Sequence, residues 1–427
     1  MKIRTKKRAH EQVLSIPRPA HKKPMKQRLF WRILLRLLSI PELLAVRFSV
    51  KRVGMEKLSR REPCLVLMNH NCFLDLEIAS TLLFPRPFNV VCTTDGFVGK
   101  NLLMRMLGCI PTKKFITDTT LVRDMTYVLR DLKSSVLLFP EAGYSLDGTA
   151  TVLPESLGGC IKHLGVPVVM IETRGAFFRQ PLHNELKKRR VKIEAEMRYL
   201  FSAEETAALS TEEINARLSR EFSFDAFRWQ KENRVAIDEP FRAKGLHRIL
   251  YKCPHCKAEG RRQSEGTSLW CTSCDKHYEL SPYGELNATE GETAFSHLPD
   301  WVSWERDEVR RELEDGSYRL DCDVKVAMLV DTKCLYDVGD GHLLHTAEGF
   351  VLTAPDGTEL YRQQATASYS LNVDFYWYEI GDTIGIGNHR ALYYCFPKDT
   401  AIPVFKARLA TEERYREILS SRKKREK

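Results

Sequence analysis

Between residues 51 and 200, four apolar runs alternate with stretches of helical spacing, and that alternation narrows the fold more than any other feature. CLVLMN (64–69), FNVVCTT (88–94), SSVLLFP (134–140) and VPVVMIET (166–173) are short, rich in Val, Leu and Ile, and have no polar face. Strands of that kind are buried on both sides, as in sheets covered by helices. LDLEIASTLL, KNLLMRMLG and TTLVRDMTYVLRDLK lie between them with apolar residues three and four apart. The spacing predicts an α/β domain, a mixed sheet flanked by helices, with its chemistry where strands end and loops begin. Residues 202–232 read as further helices, opened by two capping boxes, Ser202 with Glu205 and Ser210 with Glu213.

The first apolar run leads straight into His70, and Asp75 follows after four intervening residues. A neutral imidazole can take the proton of a hydroxyl as it attacks a carbonyl. A nearby carboxylate fixes its tautomer and stabilises the imidazolium. No Ser or Cys nucleophile is needed when the hydroxyl belongs to the substrate, so the pair points to direct acyl transfer. It also fits a strand-end histidine bonded to backbone and an aspartate capping the next helix. Cys72 has no pKa-lowering partner beyond His70 and ranks low as a nucleophile.

LLFPEAGYS (137–145) repeats the theme, a buried strand ending on a polar turn with Pro140, Glu141 and Gly143. Glu141 is placed to bind an acceptor hydroxyl, and the amides around Ala142 and Gly143 to hold an anion or oxyanion. GCIPTKKF (108–115) puts Lys113 and Lys114 in a loop, where they would neutralise a substrate phosphate. Adjacent loop lysines are equally at home simply solvated.

NHNCFLD, then FPEAGYS, then VPVVMI resembles the 1-acylglycerol-3-phosphate acyltransferases, a glycerolipid acyltransferase family, over about residues 50–200. Their motifs are NHxxxxD, a Gly-x-Ile-x-x-x-Arg type segment, FPEGTRS and a Val/Ile-Pro-Val/Ile strand. The resemblance implies an α/β acyltransferase domain working at a membrane surface on a lysophospholipid, with acyl-CoA or acyl-carrier protein as donor. It makes His70 the general base and Asp75 its partner. It gives Glu141 and its turn the acceptor's glycerol-phosphate part, and Pro167 the shaping of the acyl-side pocket. Three positions depart: Ala142, Gly143 and Tyr144 stand where Gly, Thr and Arg are usual. Lys114 replaces the usual Arg and Lys113 a frequent Asp, a point charge for a bidentate fork. The acceptor expected first is 1-acylglycerol-3-phosphate. The alternatives are another lysophospholipid, or a catalytically degenerate fold whose zinc ribbon and basic tail recruit a partner.

Charge is concentrated at the front. Residues 1–36 carry twelve Lys or Arg against Glu11 alone, a net +11, while the whole chain is +10. A basic segment of this kind suits a polyanion. The residues from 28 to 38 favour a phospholipid membrane surface over nucleic acid. Leu29, Phe30, Trp31, Ile33, Leu34, Leu35, Leu37 and Leu38 accompany Arg28, Arg32 and Arg36, spaced four apart. A helix of that pattern lies in the interface with its cations near lipid phosphates. Arg32, Arg36, Glu42 and Arg47 interrupt any spanning segment, and Pro41 is expected to break the helix. The start lacks the features of a signal peptide, and most of the twelve cysteines are scattered, which favours a reducing compartment. The expected location is peripheral, on the cytoplasmic side of the cell membrane.

Two cysteine pairs stand apart. Cys253-x2-Cys256 and Cys271-x2-Cys274, separated by fourteen residues, have zinc-ribbon spacing. Four thiolates fill a tetrahedral shell, so the zinc is expected to be structural. Beyond it DWVSWERDEVRREL reads as a helix, followed by strand-like VKVAMLV, GFVLTA, TELYRQQ, DFYWYEI and RALYYCF, with Asp340-Gly341 and Asp356-Gly357 as turns. The expected organisation is a basic tail (1–24), amphipathic membrane-interface helices (25–50), the acyltransferase domain (51–240), a zinc ribbon (241–285), and a helix plus β-rich, pleckstrin-homology-like domain (286–427).

Overall fold

The structure, a computed structural model, describes residues 2–116 and 118–425. The chain divides into two compact units. One comprises Ala20–Pro181 and Lys187–Asn233; the other holds the segment up to Pro19, Leu182–Leu186 and the chain from Arg234 on.

In the first unit the apolar runs become a seven-stranded sheet of β1 (Ser49–Val53), β2 (Leu65–Met68), β3 (Phe88–Thr93), β4 (Cys109–Thr112), β5 (Ser135–Leu138), β6 (Val168–Arg174) and β7 (Glu194–Phe201). Its order is β1-β7-β6-β2-β5-β3-β4. β6, β2, β5, β3 and β4 are mutually parallel, β7 is antiparallel to β6, and β1 follows β7. The sheet is therefore mixed, as expected. The parallel block sends the ends of neighbouring β2 and β5 to one edge, which delivers His70 and the Glu141 turn to the same place.

Helices α1 (Leu29–Ala45), α2 (Leu74–Leu83), α3 (Asn101–Met106), α4 (Thr119–Arg130) and α5 (Ser156–Leu164) accompany the sheet. α4 shows why the helical spacing is legible: Met125, Val128 and Leu129 enter the core with Leu65, Val136 and Met170, while Arg130 stays outside. Three helices follow β7, and both capping boxes form at Ser202 and Ser210.

One expectation about α1 is corrected. Pro41 lies inside the helix and does not break it. A mid-helix proline removes one N–H and crowds the carbonyl four residues back. The flanking turns are pinned, however. Arg32 donates to the Pro85 carbonyl and Arg36 stacks over the Phe84 ring at 4.4 Å, while Glu42 accepts from Arg179 at 2.8 Å and from Lys188. Arg32 accordingly turns toward the protein, while Arg28 and Arg36 stay exposed. Most of the residues α1 leaves outside are apolar: Leu29, Phe30, Ile33, Leu37, Leu38, Ile40 and Leu44 are all exposed.

The second unit joins segments that sequence separates. A four-stranded antiparallel ribbon, Arg262–Glu265 to Leu286–Ala288, is followed by helix Leu298–Glu314, seven antiparallel strands from Leu320–Leu329 to Leu392–Pro397, and helix Val404–Arg425. Lys252 pairs with Glu259, Glu308 and Glu312, and Lys406 with Glu259 and Glu312, tying ribbon to both helices. The basic tail is not free either. Thr5–Lys7 adds as a parallel strand to Leu335–Thr346, Val13 is fully buried, and Arg390 donates to the carbonyls of Leu14 and Ile16. A three-residue edge strand is too short to show as a pattern. Asp340-Gly341 is not a turn but lies within strand Leu335–Thr346. Glycine is needed there for close packing, since a Cβ would sit 2.9 Å from both Val326 Cγ2 and the Thr353 carbonyl. Asp356-Gly357 does turn.

Candidate active site

β2 ends at Met68, and the next three residues are held by side chains instead of a ladder. Asn69 exchanges hydrogen bonds with the backbone of Thr173 on β6, its Oδ1 accepting from the N–H at 2.8 Å and its Nδ2 donating to the carbonyl at 3.0 Å. Asn71 Nδ2 donates to the Thr173 hydroxyl at 3.1 Å. Sequence reasoning missed Asn69, Asn71 and Thr173; the signal was the asparagine on each side of His70, polar at the end of a buried strand.

Asp75 opens α2 one turn later and is wholly buried. Its Oδ2 accepts from His70 Nδ1 at 2.9 Å and from the N–H groups of Asn71 at 2.7 Å and Cys72 at 3.0 Å. The carboxylate thus holds the loop before the helix and orients the ring at once, while the helix N-cap, Phe73, has no side-chain cap, so the alternative of a helix-capping aspartate does not apply. With Nδ1–H committed to Asp75, Nε2 carries the lone pair. Burial lowers the His70 pKa below that of an ordinary imidazole, and nearby Lys114 adds to the effect against the opposing Asp75. A neutral ring with a free Nε2 is the state a general base requires. Cys72 is buried and its thiol is pushed well up by desolvation and Asp75, which removes it as a nucleophile.

The FPEAGYS turn docks on this loop. Glu141 Oε1 accepts from the His70 N–H at 3.2 Å, and the Ser145 N–H donates to the His70 carbonyl at 2.8 Å. Glu141 Oε2 accepts from the Thr151 N–H at 3.0 Å and hydroxyl at 2.9 Å. Glu141 is fully buried, so the expected contact with an acceptor hydroxyl gives way to a positioning role, in which its carboxylate sets the height of His70. Glu141→Gln places an NH2 or a weaker acceptor against these donors. The expected outcome is a kcat lowered about tenfold to a hundredfold, at a stability cost of about 1–3 kcal/mol, with KM little changed, checked by steady-state kinetics and denaturant melts.

The aromatic surroundings are a feature the sequence did not announce. Phe139 stacks on one side of the imidazole and Tyr144 lies against it as well, each with ring centroids 4.0 Å away. Phe73, exposed on the rim, meets Tyr144 edge-on at 5.6 Å. The residue standing where the family has arginine therefore positions the base. Ala142 takes a left-handed φ of 54° and its N–H is used by the Phe139 carbonyl, so it is not the anion donor expected. The Gly143 N–H has no acceptor among the described residues. Lys113 and Lys114 occupy the loop after β4, half-buried, and Lys114 acts electrostatically on His70. Pro167 lies away from the His70 end of the sheet. It precedes β6 at the opposite sheet edge, where its carbonyl accepts from the Leu65 N–H, five residues and about 17 Å of strand from His70.

The second unit brings Cys253, Cys256, Cys271 and Cys274 together with all four sulfurs within 4.8 Å of one another. Cys253 to Cys274 and Cys256 to Cys271 are both 3.7 Å, near the roughly 3.8 Å edge of a tetrahedral zinc–thiolate shell. Arg262 lies buried beside Cys253 and Cys271, over the Trp301 ring at 4.3 Å, its guanidinium nitrogens without hydrogen-bond partners. An unsatisfied buried cation next to four thiols fits thiolates that carry net negative charge around a divalent metal. The donor set suits zinc, with no position left open for catalysis.

Comparison with known proteins places the first of these constellations. Residues 49–172 match the Acyltransferase family model. That segment holds His70, Asp75, Lys114 and Glu141. No curated protein matches the chain. Among solved structures, the 1-acyl-sn-glycerophosphate (LPA) acyltransferase PlsC from Thermotoga maritima is similar at 15% identity and a TM-score of 0.38, over 45% of this chain and 76% of that one. That likeness is too distant to assign any residue.

Proposed function

We propose that this chain is a peripheral membrane O-acyltransferase. It moves an acyl chain from acyl-CoA or acyl-carrier protein to the free hydroxyl of a lysophospholipid, first 1-acylglycerol-3-phosphate, giving phosphatidic acid. The observation that carries the reading is the buried Asp75 holding His70 Nδ1, with Nε2 left as base, inside the segment that matches the acyltransferase family. Nε2 takes the acceptor proton as the hydroxyl oxygen attacks the thioester carbonyl. The Gly143 amide supports the oxyanion, the C–S bond breaks, and the imidazolium returns its proton to the leaving sulfur. Asp75 stabilises the imidazolium in between. No enzyme nucleophile takes part.

Lys114 is the cation whose charge reaches His70, which suits an acceptor phosphate one glycerol carbon from the reacting hydroxyl. The exposed stripe of α1 and Phe73 on the site rim suit an enzyme whose acceptor stays in the membrane. Its place is the cytoplasmic face, where both donors are found. No helix among the described residues is long and apolar enough to cross a membrane.

The test is a panel of acceptors with one donor: lysophosphatidic acid, lysophosphatidylcholine and monoacylglycerol. Lysophosphatidic acid is expected to be acylated fastest. Lys114→Ala should raise its KM about tenfold while leaving monoacylglycerol unaffected. An equal loss on all three acceptors would remove Lys114 from phosphate recognition.

A further inference from the structure

A cavity of about 710 Å³ opens at the sheet edge opposite His70, where β2, β3 and β5 begin and β1 ends. Six cations line it: Lys26, Arg52, Arg60, Arg61, Arg86 and Lys133. Glu62 is the one carboxylate in the lining, and its Oε2 accepts from the Ser59 N–H. Arg86 is tied to the carbonyls of Ser59 and Glu62. The other five have no carboxylate partner among the described residues. Some other arginines of the same unit are paired, Arg179 with Glu42, Arg174 with Glu172, and Arg198 with Glu196 and Glu221, so what sets these five apart is their convergence on one concavity. Five uncompensated charges facing one concavity repel each other and focus a positive potential, which an anion relieves. Leu82, Leu83 and Met197 supply an apolar wall beside them.

The position says which anion. Phe84 and Pro85 also line the cavity, and these two residues receive Arg36 and Arg32 of α1. From there α1 runs back along α2 to Glu42, which interacts with Glu77 near the catalytic end of α2. The exposed apolar stripe of α1 therefore connects the cationic cavity with the His70 edge. A helix lying in the interface along that line sets both openings at headgroup depth. The phosphate taken at the far edge cannot be that of the reacting acceptor, because the full length of β2 separates the two.

We propose that this cavity is a second, non-catalytic anion site that takes the phosphate headgroup of an anionic phospholipid and holds the enzyme on charged membranes. The cation cluster stands on geometry alone. Only the lipid source of the phosphate rests on the membrane-surface reading.

The experiment uses the full chain and two variants, Arg60→Glu/Arg61→Glu in the cavity and Phe30→Glu/Leu37→Glu on α1. Vesicle co-sedimentation is measured on phosphatidylcholine alone and on phosphatidylcholine doped with phosphatidic acid, and pyrophosphate binding by calorimetry. The cavity variant is expected to lose about thirtyfold in affinity for the anionic vesicles. It should keep its neutral-vesicle binding and its turnover of a short-chain soluble lysophospholipid. The α1 variant should lose both kinds of vesicle binding, which separates failure of the membrane reading from failure of the site. Equal binding of wild type and cavity variant to anionic vesicles would overturn the proposal. So would pyrophosphate binding that the cavity variant loses while vesicle binding stays equal, since that assigns the cavity to a soluble phosphate.

Discussion

Replacing His70 with alanine is expected to lower kcat about a thousandfold, with KM for donor and acceptor nearly unchanged. The imidazole contributes little to ground-state binding, because Phe139 and Tyr144 cover its faces and only its edge reaches the acceptor. Asp75→Asn should cost a comparable amount, since an amide at that place can donate to Nδ1 and stabilise the wrong tautomer. The pH profile follows from the direction of the His70 shift. Burial holds the folded pKa below the ordinary 6.5, so the neutral base survives on the acid side of that value. Activity should stay level as pH falls toward 6.5 and decline only below it, as Nε2 takes up a proton. Tyr144→Ala opens one side of the ring to water, relieves desolvation, and should move that acid limb upward. A kcat/KM pH profile of the two proteins, which reports the free enzyme, checks both statements.

Removing the metal is the other large effect. Native chain is expected to carry one zinc, and Cys253→Ser or a strong chelator should release it and unfold the ribbon strands. Structural zinc sites contribute on the order of 10 kcal/mol to small domains. The damage should spread within the unit along named contacts. Lys252 precedes the first zinc-site cysteine, and its N–H donates to Glu305 while Trp301 Nε1 donates to its carbonyl at 3.1 Å. Trp301 is fully buried, so its emission should shift to the red as zinc leaves, in step with metal release measured by a chromogenic chelator. Arg262→Met separates the charge argument from packing: it should weaken zinc retention while the chain remains folded with zinc in excess. Zinc content unchanged in Cys253→Ser would contradict the assignment.

The features that sequence could show, and those it could not, divide along physical lines. Period carries elements, so Leu74–Leu83 and the four central strands were legible from apolar spacing. Chemistry at strand ends was legible where residue type and order coincide, as for His70 with Asp75 and for the four cysteines. Depth was not. FPEAGYS contains nothing to say that Glu141 faces inward to a backbone N–H while Tyr144 faces His70. Gly341 shows a second limit. A turn glycine and a glycine that admits a neighbouring strand are the same letter, and only the Val326 and Thr353 contacts distinguish them. Thr5–Lys7 and the Lys252 and Lys406 ion pairs are long-range, with no local period to find.

The most direct measurement follows a labelled acyl-CoA or acyl-carrier protein thioester incubated with purified chain and lysophosphatidic acid, with products resolved by mass spectrometry. The mechanism predicts one new ester on the free hydroxyl, stoichiometric release of thiol, no acylated enzyme intermediate, and loss of both products with His70→Ala. An acyl-enzyme trapped on a cysteine or serine, or ester formation that survives His70→Ala, would contradict it.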